Sequence, residues 1–226
     1  MPSTKTTPVS IQYPDDEGDH LFILQEFPKL GSTESVGFHL YEASVLLAQY
    51  LALEYRPCDI TTKRKRVLEL GSGSCALAGL AMTWLNYQVT FSDLPGILPS
   101  LKINVERNAR NFTEHDIIPL AWGRDNHDAS LEDEFDLVIG ADVVYQREFV
   151  LPLLETVSLY AKRDAIICSE EREEGLIDEY FVSEAKKLGF HVKRIKSKAF
   201  PKPFCDEDAK HMRIYKLQKS TSNSRG

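Results

Sequence analysis

The stretch "RVLELGSGSCALAG" (Arg66–Gly79) decides the fold of this chain. Its first five residues predict a buried strand, because the run is short and rich in valine and leucine. Two glycines at alternate positions, Gly71 and Gly73, come next, and the apolar run "CALAGLAMTWL" after them has the character of a helix. A strand, a glycine-containing turn and a helix in this order predict a loop that binds a ligand.

The alternation of strands and helices continues along the chain. Further predicted strands are "QVTFSD", "DIIPLAW", "FDLVIGAD" and "DAIICSE", and helical segments separate them. Apolar strands that alternate with helices are typical of a parallel sheet covered on both faces. The last two strands, "HVKRIKSKAF" and "MRIYKLQ", have only a loop between them and predict a hairpin with one antiparallel strand at the sheet edge. We therefore expect an α/β, Rossmann-like fold with a seven-stranded, mostly parallel sheet, a C-terminal antiparallel hairpin strand and helices on both faces.

The 226 residues favour one folded domain. We predict that it spans residues 21–218, starting with the strand "LFILQEF", between disordered tails at 1–20 and 219–226. The composition, with 42% hydrophobic and 27% charged residues, is ordinary for a globular protein, and the net charge of −7 argues against broad nucleic-acid binding. We expect a monomer.

The same sequence argues against a membrane anchor, a secretory signal and a metal site. No apolar run approaches the roughly 20 residues that span a bilayer, and "MPSTKTTPVS" lacks an apolar signal core. The four cysteines have no CxxC spacing, and the six histidines form neither HxxxH nor HExxH. These features predict a cytoplasmic protein with free thiols and no bound metal.

The glycine loop matches a nucleotide-binding pattern. The run from Gly71 to Ala76 fits G-x-G-x-x-G/A, and Asp93 lies 20 residues past Gly73, where an acid takes ribose hydroxyls. This pattern suits NAD and S-adenosylmethionine equally, since both carry an adenosine ribose. A purely structural turn between strand and helix is the remaining alternative.

Three features favour S-adenosylmethionine over NAD. Glu69 stands two residues before the first glycine, where an acid meets an ammonium group but repels a pyrophosphate. The closing hairpin is the second feature. The third is "GADVVY" (Gly140–Tyr145), which brings a carboxylate and a phenol to the end of an apolar strand, beside the expected cleft.

These stretches identify a resemblance. From about Val36 to Leu217 the chain resembles the seven-strand S-adenosylmethionine-dependent methyltransferases, and within them methyltransferase family 16. The resemblance rests on "VLELGSGS", "VTFSDLP", "NVERN", "LAWG" and "FDLVIGADVVY", in that order. The family includes protein-lysine methyltransferases of translation elongation factors and chaperones. It implies an enzyme that transfers a methyl group from S-adenosylmethionine to a lysine of such a protein.

The resemblance also implies roles for individual residues. Two would face the substrate amine, namely Asp142 and Tyr145. Eight would hold the cofactor, namely Tyr41, Glu69, Gly71, Gly73, Asp93, Leu94, Trp122 and Ala141. Among these, Glu69 and the two glycines would surround the methionine part, and Asp93 would bind the ribose. Trp122 would lie near the adenine, and Ala141 beside the sulfonium.

The chain departs from the family pattern at two places. Tyr41-Glu42 stands where the family usually has Trp-Asp, and we still expect Tyr41 to close over the cofactor. Cys75 stands where a third glycine is more usual, and we expect it to alter the turn at the start of the helix.

Several alternatives stay open at this point. The same cofactor could serve a small amine, a histidine or RNA, although the acidic charge makes RNA the weakest of these. An NAD-binding oxidoreductase and a non-catalytic adaptor are alternatives from other classes. The charged run "SEEREEG" (Ser169–Gly175) either draws in a basic substrate surface or is the solvated start of a helix. Asn104 and Asn108 share one helix face, and the sequence assigns them no chemistry.

Overall fold

The structure, a computed structural model, describes residues 5–14, 19–26, 37–59, 61–109, 114–126, 128–202, 204 and 207–220. Its strands are Lys5–Gln12 (β1), Asp19–Glu26 (β2), Arg66–Leu70 (β3), Gln88–Asp93 (β4), His115–Pro119 (β5), Phe135–Ala141 (β6), Ala161–Glu170 (β7), Phe190–Ile195 (β8) and Met212–Lys219 (β9). Its α-helices are Glu42–Glu54 (α1), Leu77–Trp84 (α2), Leu98–Asn108 (α3), Arg147–Tyr160 (α4) and Leu176–Lys187 (α5).

Seven strands form one sheet in the order β5-β4-β3-β6-β7-β9-β8. The pairings from β5 to β7 are parallel, whereas β9 runs antiparallel to both of its neighbours. This confirms the predicted fold class and the closing hairpin, with β8 as the edge strand and β9 one position inside it. The chain leaves β3 for β4 on one side and later returns to β6 on the other. The switch in strand order therefore lies between β3 and β6, where ligands bind in sheets of this kind.

Two hydrophobic cores cover the two faces of the sheet. Helices α1, α2 and α3 pack on one face and helices α4 and α5 on the other. Strand β3 contributes to both cores: Val67 faces the first, whereas Leu68 and Leu70 face the second. Alternate residues of a strand point to opposite faces, so a short apolar strand serves both cores.

The first strand corrects one prediction. The sequence predicted disorder for residues 1–20, but Lys5–Gln12 pairs antiparallel with β2 along its whole length. Ile11 is fully buried with Phe22 and Leu24 of the partner strand. Its burial depends on β2 and helix α1, which the short segment does not reveal. Residues 1–4, 15–18 and 221–226 of the predicted tails lie outside the described residues.

Asn104 and Asn108 join the β1–β2 hairpin to the main domain. Asn104 accepts the N–H of Gln25 and donates to its carbonyl, at 2.7 and 2.9 Å. Asn108 does the same with Ile23, at 2.7 and 3.0 Å. The two amides, spaced i and i+4 on α3, thus replace a neighbouring strand along the edge of β2, where unpaired backbone groups would otherwise remain. Asn104 also donates to the carbonyl of Ser74 at 2.7 Å, so the hairpin and the glycine loop share one anchor.

Candidate active site

The glycine loop lies between β3 and α2 and contacts the end of β4. Gly71 and Gly73 have φ angles of +59° and +61°, which L side chains rarely adopt. A Cβ at Gly73 would also lie 3.1 Å from the carbonyl oxygen of Gly37, whose carbonyl accepts the N–H of Ser74 at 2.6 Å. Both glycines are therefore required by the turn, and the segment that leads to Tyr41 crosses directly over it.

Asp93 ends β4 and is held by backbone donors on both oxygens. Its Oδ2 accepts the N–H of Gly73 at 2.8 Å and its Oδ1 accepts the N–H of Leu94 at 2.7 Å. Burial raises the pKa of the carboxyl, and the two N–H groups counteract part of that rise. Each oxygen keeps a further lone pair, so the group can still accept hydrogen bonds from a diol. Leu94, which is 47% exposed, forms the adjacent outer edge.

Glu69 has a contact that the sequence did not predict. Its side chain is 2% exposed, and its Oε1 accepts the N–H of Gly79 in the first turn of α2 at 3.0 Å. An acid at this position caps a helix whose own N-cap residue, Ala76, makes no side-chain cap bond. The second oxygen, Oε2, is buried without a hydrogen-bond partner. Burial raises the pKa of Glu69 to about 8.

Cys75 differs from the expectation in detail. Helix α2 begins at Leu77 rather than at Cys75, and the residue that adopts the left-handed conformation is Ala76, with φ of +49°. Glycine adopts this conformation without strain, whereas alanine does not. The backbone strain therefore lies at Ala76, the last residue of the G-x-G-x-x-G/A pattern. Cys75 itself is 3% exposed and packs in the core, and burial raises the pKa of its thiol to about 11.

Trp122 follows β5 and Ala141 ends β6, both at the carboxyl edge of the sheet. The Trp122 indole lies against Gly71, since a Cβ there would be 3.0 Å from its Cζ2 atom. Its ring contacts Phe149 edge-on, with centroids 6.5 Å apart, and Phe149 in turn contacts Tyr145 at 5.6 Å. Ala141 ends β6, half-buried and paired in register with Cys168. The indole therefore packs directly against the glycine loop.

Asp142 follows β6 in a strained backbone conformation. Its φ is +56°, which aspartate tolerates better than most residues, and its N–H donates to the carbonyl of Cys168 at 2.7 Å. Its carboxylate binds the Arg172 guanidinium, with Nη2 at 3.1 Å from Oδ2 and 3.3 Å from Oδ1. Strain of this kind is concentrated at functional sites.

Tyr41 and Tyr145 lie within electrostatic reach of the same carboxylate. Tyr41 is the half-buried residue before α1, and burial followed by the charge of Asp142 raises the pKa of its phenol. For Tyr145, burial raises the pKa first, and the charges of Asp93 and Asp142 add to it. The two phenols and the two acids therefore share one region at the carboxyl ends of the strands.

Sequence reasoning missed residues that hold this site together. Ser92 donates to the carbonyl of Glu69 at 2.7 Å, and its carbonyl accepts the N–H of Ser72 at 2.9 Å. Arg172, within the charged run "SEEREEG", binds Asp142 and also Glu170, at 3.1 Å. The charge of that run was noticed, but nothing in the sequence pairs Arg172 with an acid 30 residues away.

The residues present fit S-adenosylmethionine. The turn lets a ligand approach the backbone closely, Asp93 offers acceptors for a ribose diol, and Trp122 offers a flat apolar wall. The Oε2 atom of Glu69, buried without a hydrogen-bond partner, lies close to Gly79 and the Phe91 ring.

None of the helices that the structure describes combines the length and the hydropathy needed to cross a bilayer. In the described ranges, no three histidine, cysteine, aspartate or glutamate side chains come close enough together to hold a metal ion.

Known proteins show the same fold and the same family. The sequence profile described as lysine methyltransferase matches residues 20–188. The chain is 28% identical over 180 residues to EEF1A lysine methyltransferase 3 of Xenopus tropicalis, covering 75% of this chain and 76% of that protein. It is 27% identical over 202 residues to protein N-lysine methyltransferase METTL21A of Danio rerio, covering 88% and 84%.

A solved structure supports the fold independently. The magnesium protoporphyrin IX methyltransferase of Synechocystis, with bound S-adenosylmethionine, matches at a TM-score of 0.54 and 17% identity, covering 79% of this chain and 78% of that one. The family match and the observed sheet together settle the class of protein. This chain belongs to the lysine methyltransferase family and is an S-adenosylmethionine-dependent enzyme that methylates protein lysine.

Proposed function

We propose that this enzyme methylates a lysine of a cytosolic translation elongation factor, with elongation factor 1A as the first candidate. Relatives from Xenopus tropicalis and Mus musculus carry the name EEF1A lysine methyltransferase 3, and the mouse protein is 32% identical over 137 residues. A chaperone is the alternative protein substrate. The acidic net charge of −7 suits a basic protein surface better than a nucleic acid.

We assign the amine-binding role to Asp142 and Tyr145. The observation that carries the assignment is the left-handed backbone at Asp142, which holds its carboxylate at the carboxyl end of β6 within electrostatic reach of both Tyr41 and Tyr145. A carboxylate orients an amine by accepting its hydrogen bonds, and a phenol ring packs favourably against a cationic product.

We assign the cofactor to the glycine loop and the residues around it. When bound, S-adenosylmethionine supplies a methyl group activated by positively charged sulfur. Tyr41 would cover it, and the remaining cofactor residues would be Glu69, Gly71, Gly73, Asp93, Leu94, Trp122 and Ala141. The contacts of Gly73 and Leu94 with Asp93 support this, because they fix the acceptor oxygens before any ligand arrives.

The protonation state of the substrate sets the main demand on the site. A lysine side chain has a pKa of about 10.4, so at pH 7 roughly one in a few thousand is neutral. The nucleophile is the neutral amine. The enzyme must therefore orient the amine without stabilising its protonated form, and the proton leaves to water before transfer.

Labelled methyl transfer tests this proposal. Purified elongation factor 1A, a purified chaperone and extract from cells lacking this protein are each incubated with the enzyme and methyl-labelled S-adenosylmethionine. We expect label on a lysine of the elongation factor, located by mass spectrometry. Label on histidine, on RNA or on the chaperone alone contradicts the proposed substrate.

Ligand binding tests the cofactor site separately. S-adenosylhomocysteine should bind in the micromolar range by calorimetry, and NAD should not bind. The opposite result contradicts the assignment of the glycine loop to S-adenosylmethionine.

A further inference from the structure

Arg172 lies between two carboxylates beside the proposed amine site. Its Nη2 atom is 3.1 Å from Asp142 Oδ2 and 3.1 Å from Glu170 Oε2. The Asp142 side chain is only 9% exposed, whereas those of Arg172 and Glu170 are 37% and 44% exposed. Solvent therefore screens Glu170 more than Asp142, and the cation acts mainly on Asp142.

The loop holds Arg172 in place on both sides. The preceding residue, Glu171, donates its N–H to the carbonyl of His211 at 2.7 Å, and its carboxylate pairs with Arg213. On the following side, the Gly175 N–H donates to the carbonyl of Arg172 at 3.0 Å. The guanidinium therefore has a fixed backbone from which to reach Asp142.

A lone carboxylate at Asp142 would work against the reaction. An opposite charge within a few ångströms stabilises an ammonium ion, so an unpaired Asp142 would hold the lysine in the form that cannot react. A guanidinium bound to that carboxylate cancels the effect. Oδ1 also accepts the N–H of Glu170 at 3.4 Å, whereas Oδ2 keeps a lone pair for a hydrogen bond with the amine. We propose, on the basis of the function proposed above, that Arg172 is a positioning residue: it neutralises Asp142 so that a substrate lysine is oriented there and still loses its proton to water.

The other titratable and charged groups around Asp142 do not neutralise its carboxylate, because they are uncharged, acidic or bound elsewhere. The phenols of Tyr41 and Tyr145 stay uncharged, because burial and the charge of Asp142 raise the pKa of each. Glu148 acts on Tyr145 from α4, and Cys168 beneath Asp142 stays a thiol because burial raises its pKa. Asp93 is bound by backbone N–H groups. Two other arginines are engaged elsewhere, Arg213 with Glu171 and Arg147 over the Tyr180 ring.

A pH profile separates this role from a structural one. The full-length enzyme and its Arg172→Gln, Arg172→Lys and Lys162→Gln variants are compared by the initial rate of labelling in extract from cells lacking the protein. We expect the rate to rise with pH, and Arg172→Gln to move the rise upward by roughly one pH unit. Arg172→Lys keeps the cation and should retain the wild-type profile.

Lys162→Gln is the matched control. Lys162 lies at the opposite end of β7, is 44% exposed and pairs with Asp136 at 3.1 Å, so its loss removes a similar ion pair far from the site. We expect no shift of its profile. An unshifted profile for Arg172→Gln, or an equal shift for Arg172→Lys, overturns the role of Arg172.

A second measurement needs no activity. Thermal unfolding of Arg172→Gln, Asp142→Asn and the double variant should be non-additive, because the two side chains contact each other. Additive effects contradict the ion pair itself. If the wild-type enzyme labels no lysine at all, the proposed function fails and this inference fails with it; if it labels lysine and the profile of Arg172→Gln is unchanged, the inference alone fails.

Discussion

Asp93 ends β4 and Asp142 directly follows β6, at the same edge of the sheet, but different groups bind their carboxylates. Two backbone N–H groups, those of Gly73 and Leu94, bind Asp93 at 2.8 and 2.7 Å. Asp142 is bound mainly by the Arg172 side chain, and the N–H of Glu170 donates to its Oδ1 at 3.4 Å. A backbone donor cannot leave without a change of fold, but a partly exposed side chain can move or share its partner. The proposed cofactor side of the site is thus built in advance, and the proposed substrate side is electrostatically adjustable.

The different partners of Asp93 and Asp142 agree with the different ligands that we propose for them. A ribose diol is neutral and always the same, so rigid acceptors suit it and cost no reorganisation on binding. A lysine amine must enter, lose a proton and leave as a more methylated product. Changes to residues on the two sides should therefore have separable effects on cofactor binding and on methyl transfer.

The largest effect is expected for Asp142→Asn. Asparagine fits the left-handed backbone, so the fold should survive, but the amide loses one acceptor oxygen and the pairing with Arg172. We expect methyl transfer to fall by about 100-fold or more, since orientation of the amine is lost. Binding of S-adenosylhomocysteine should stay within about threefold of the wild type. Full activity of this variant contradicts the assignment.

Glu69→Gln should change the pH dependence of stability. Burial raises the pKa of Glu69 to about 8, from 4.5, so the folded enzyme retains a proton that the unfolded chain releases. The contribution of Glu69 to stability is therefore fully present below pH 4.5 and is lost as the pH rises to about 8. This loss is on the order of 4 kcal/mol in the free energy of unfolding, and the Glu69→Gln variant should not show it. The measurement is urea unfolding of the cofactor-free enzyme at pH 4.5 and at about pH 8.

A control and a second readout complete the Glu69 test. Glu106→Gln changes an exposed acid of α3 and should leave the pH dependence as it is. Calorimetry on Glu69→Gln then tests the ligand contact: weaker binding of S-adenosylhomocysteine is expected if the buried Oε2 meets a cationic group. Unchanged binding leaves the acid as a helix cap only.

Asp93→Asn tests the proposed cofactor side of the site. The amide replaces one acceptor oxygen by a donor that faces a backbone N–H, and the hydrogen bonds to the ribose lose their charge assistance. We expect the Kd for S-adenosylhomocysteine to rise by about 10- to 100-fold. Asp136→Asn is the matched control, because Asp136 also accepts a backbone N–H, from Arg66, at the opposite end of the sheet. Equal affinities of the two variants contradict the role of Asp93.

The smallest effect is expected for Gly73→Ala compared with Gly189→Ala. Both glycines have positive φ, but a Cβ at Gly73 would meet the Gly37 carbonyl at 3.1 Å, whereas nothing lies within 4 Å of one at Gly189. Each change should destabilise the fold by roughly 1 kcal/mol through its backbone conformation. Crowding should add about 1 kcal/mol at Gly73. Equal urea midpoints for the two variants would mean that Gly37 does not pack on the loop.

Most of the fold could be predicted from local patterns. Apolar strands such as "RVLEL" and "FDLVIGA" are evident because a parallel sheet buries both faces. Strand β1 was missed, since its alternation is short, contains Pro8 and acquires meaning only against β2 and α1. Asn104 and Asn108 were seen as a pair, but their partners lie about 80 residues earlier in the chain.

In the candidate site, too, some features could be predicted from the sequence and others could not. Gly71, Gly73 and Asp93 follow from spacing, because strand, turn and acid repeat at fixed distances in a nucleotide-binding unit. The helix-capping contact of Glu69 could not be predicted, since it depends on where α2 begins. The sequence indicated Cys75 as the irregular position, whereas the strained backbone belongs to its neighbour Ala76.

The sequence by itself determined the fold and class of this enzyme, the glycine turn after β3 and the acids at the strand ends, because local propensity and periodicity encode strands, turns and helices. Only the tertiary structure decided which charges meet. Arg172 and Asp142 come together because β6 and β7 are neighbours in the sheet, with Ala141 opposite Cys168. A contact of that kind depends on strand order and register, which no short stretch of sequence contains.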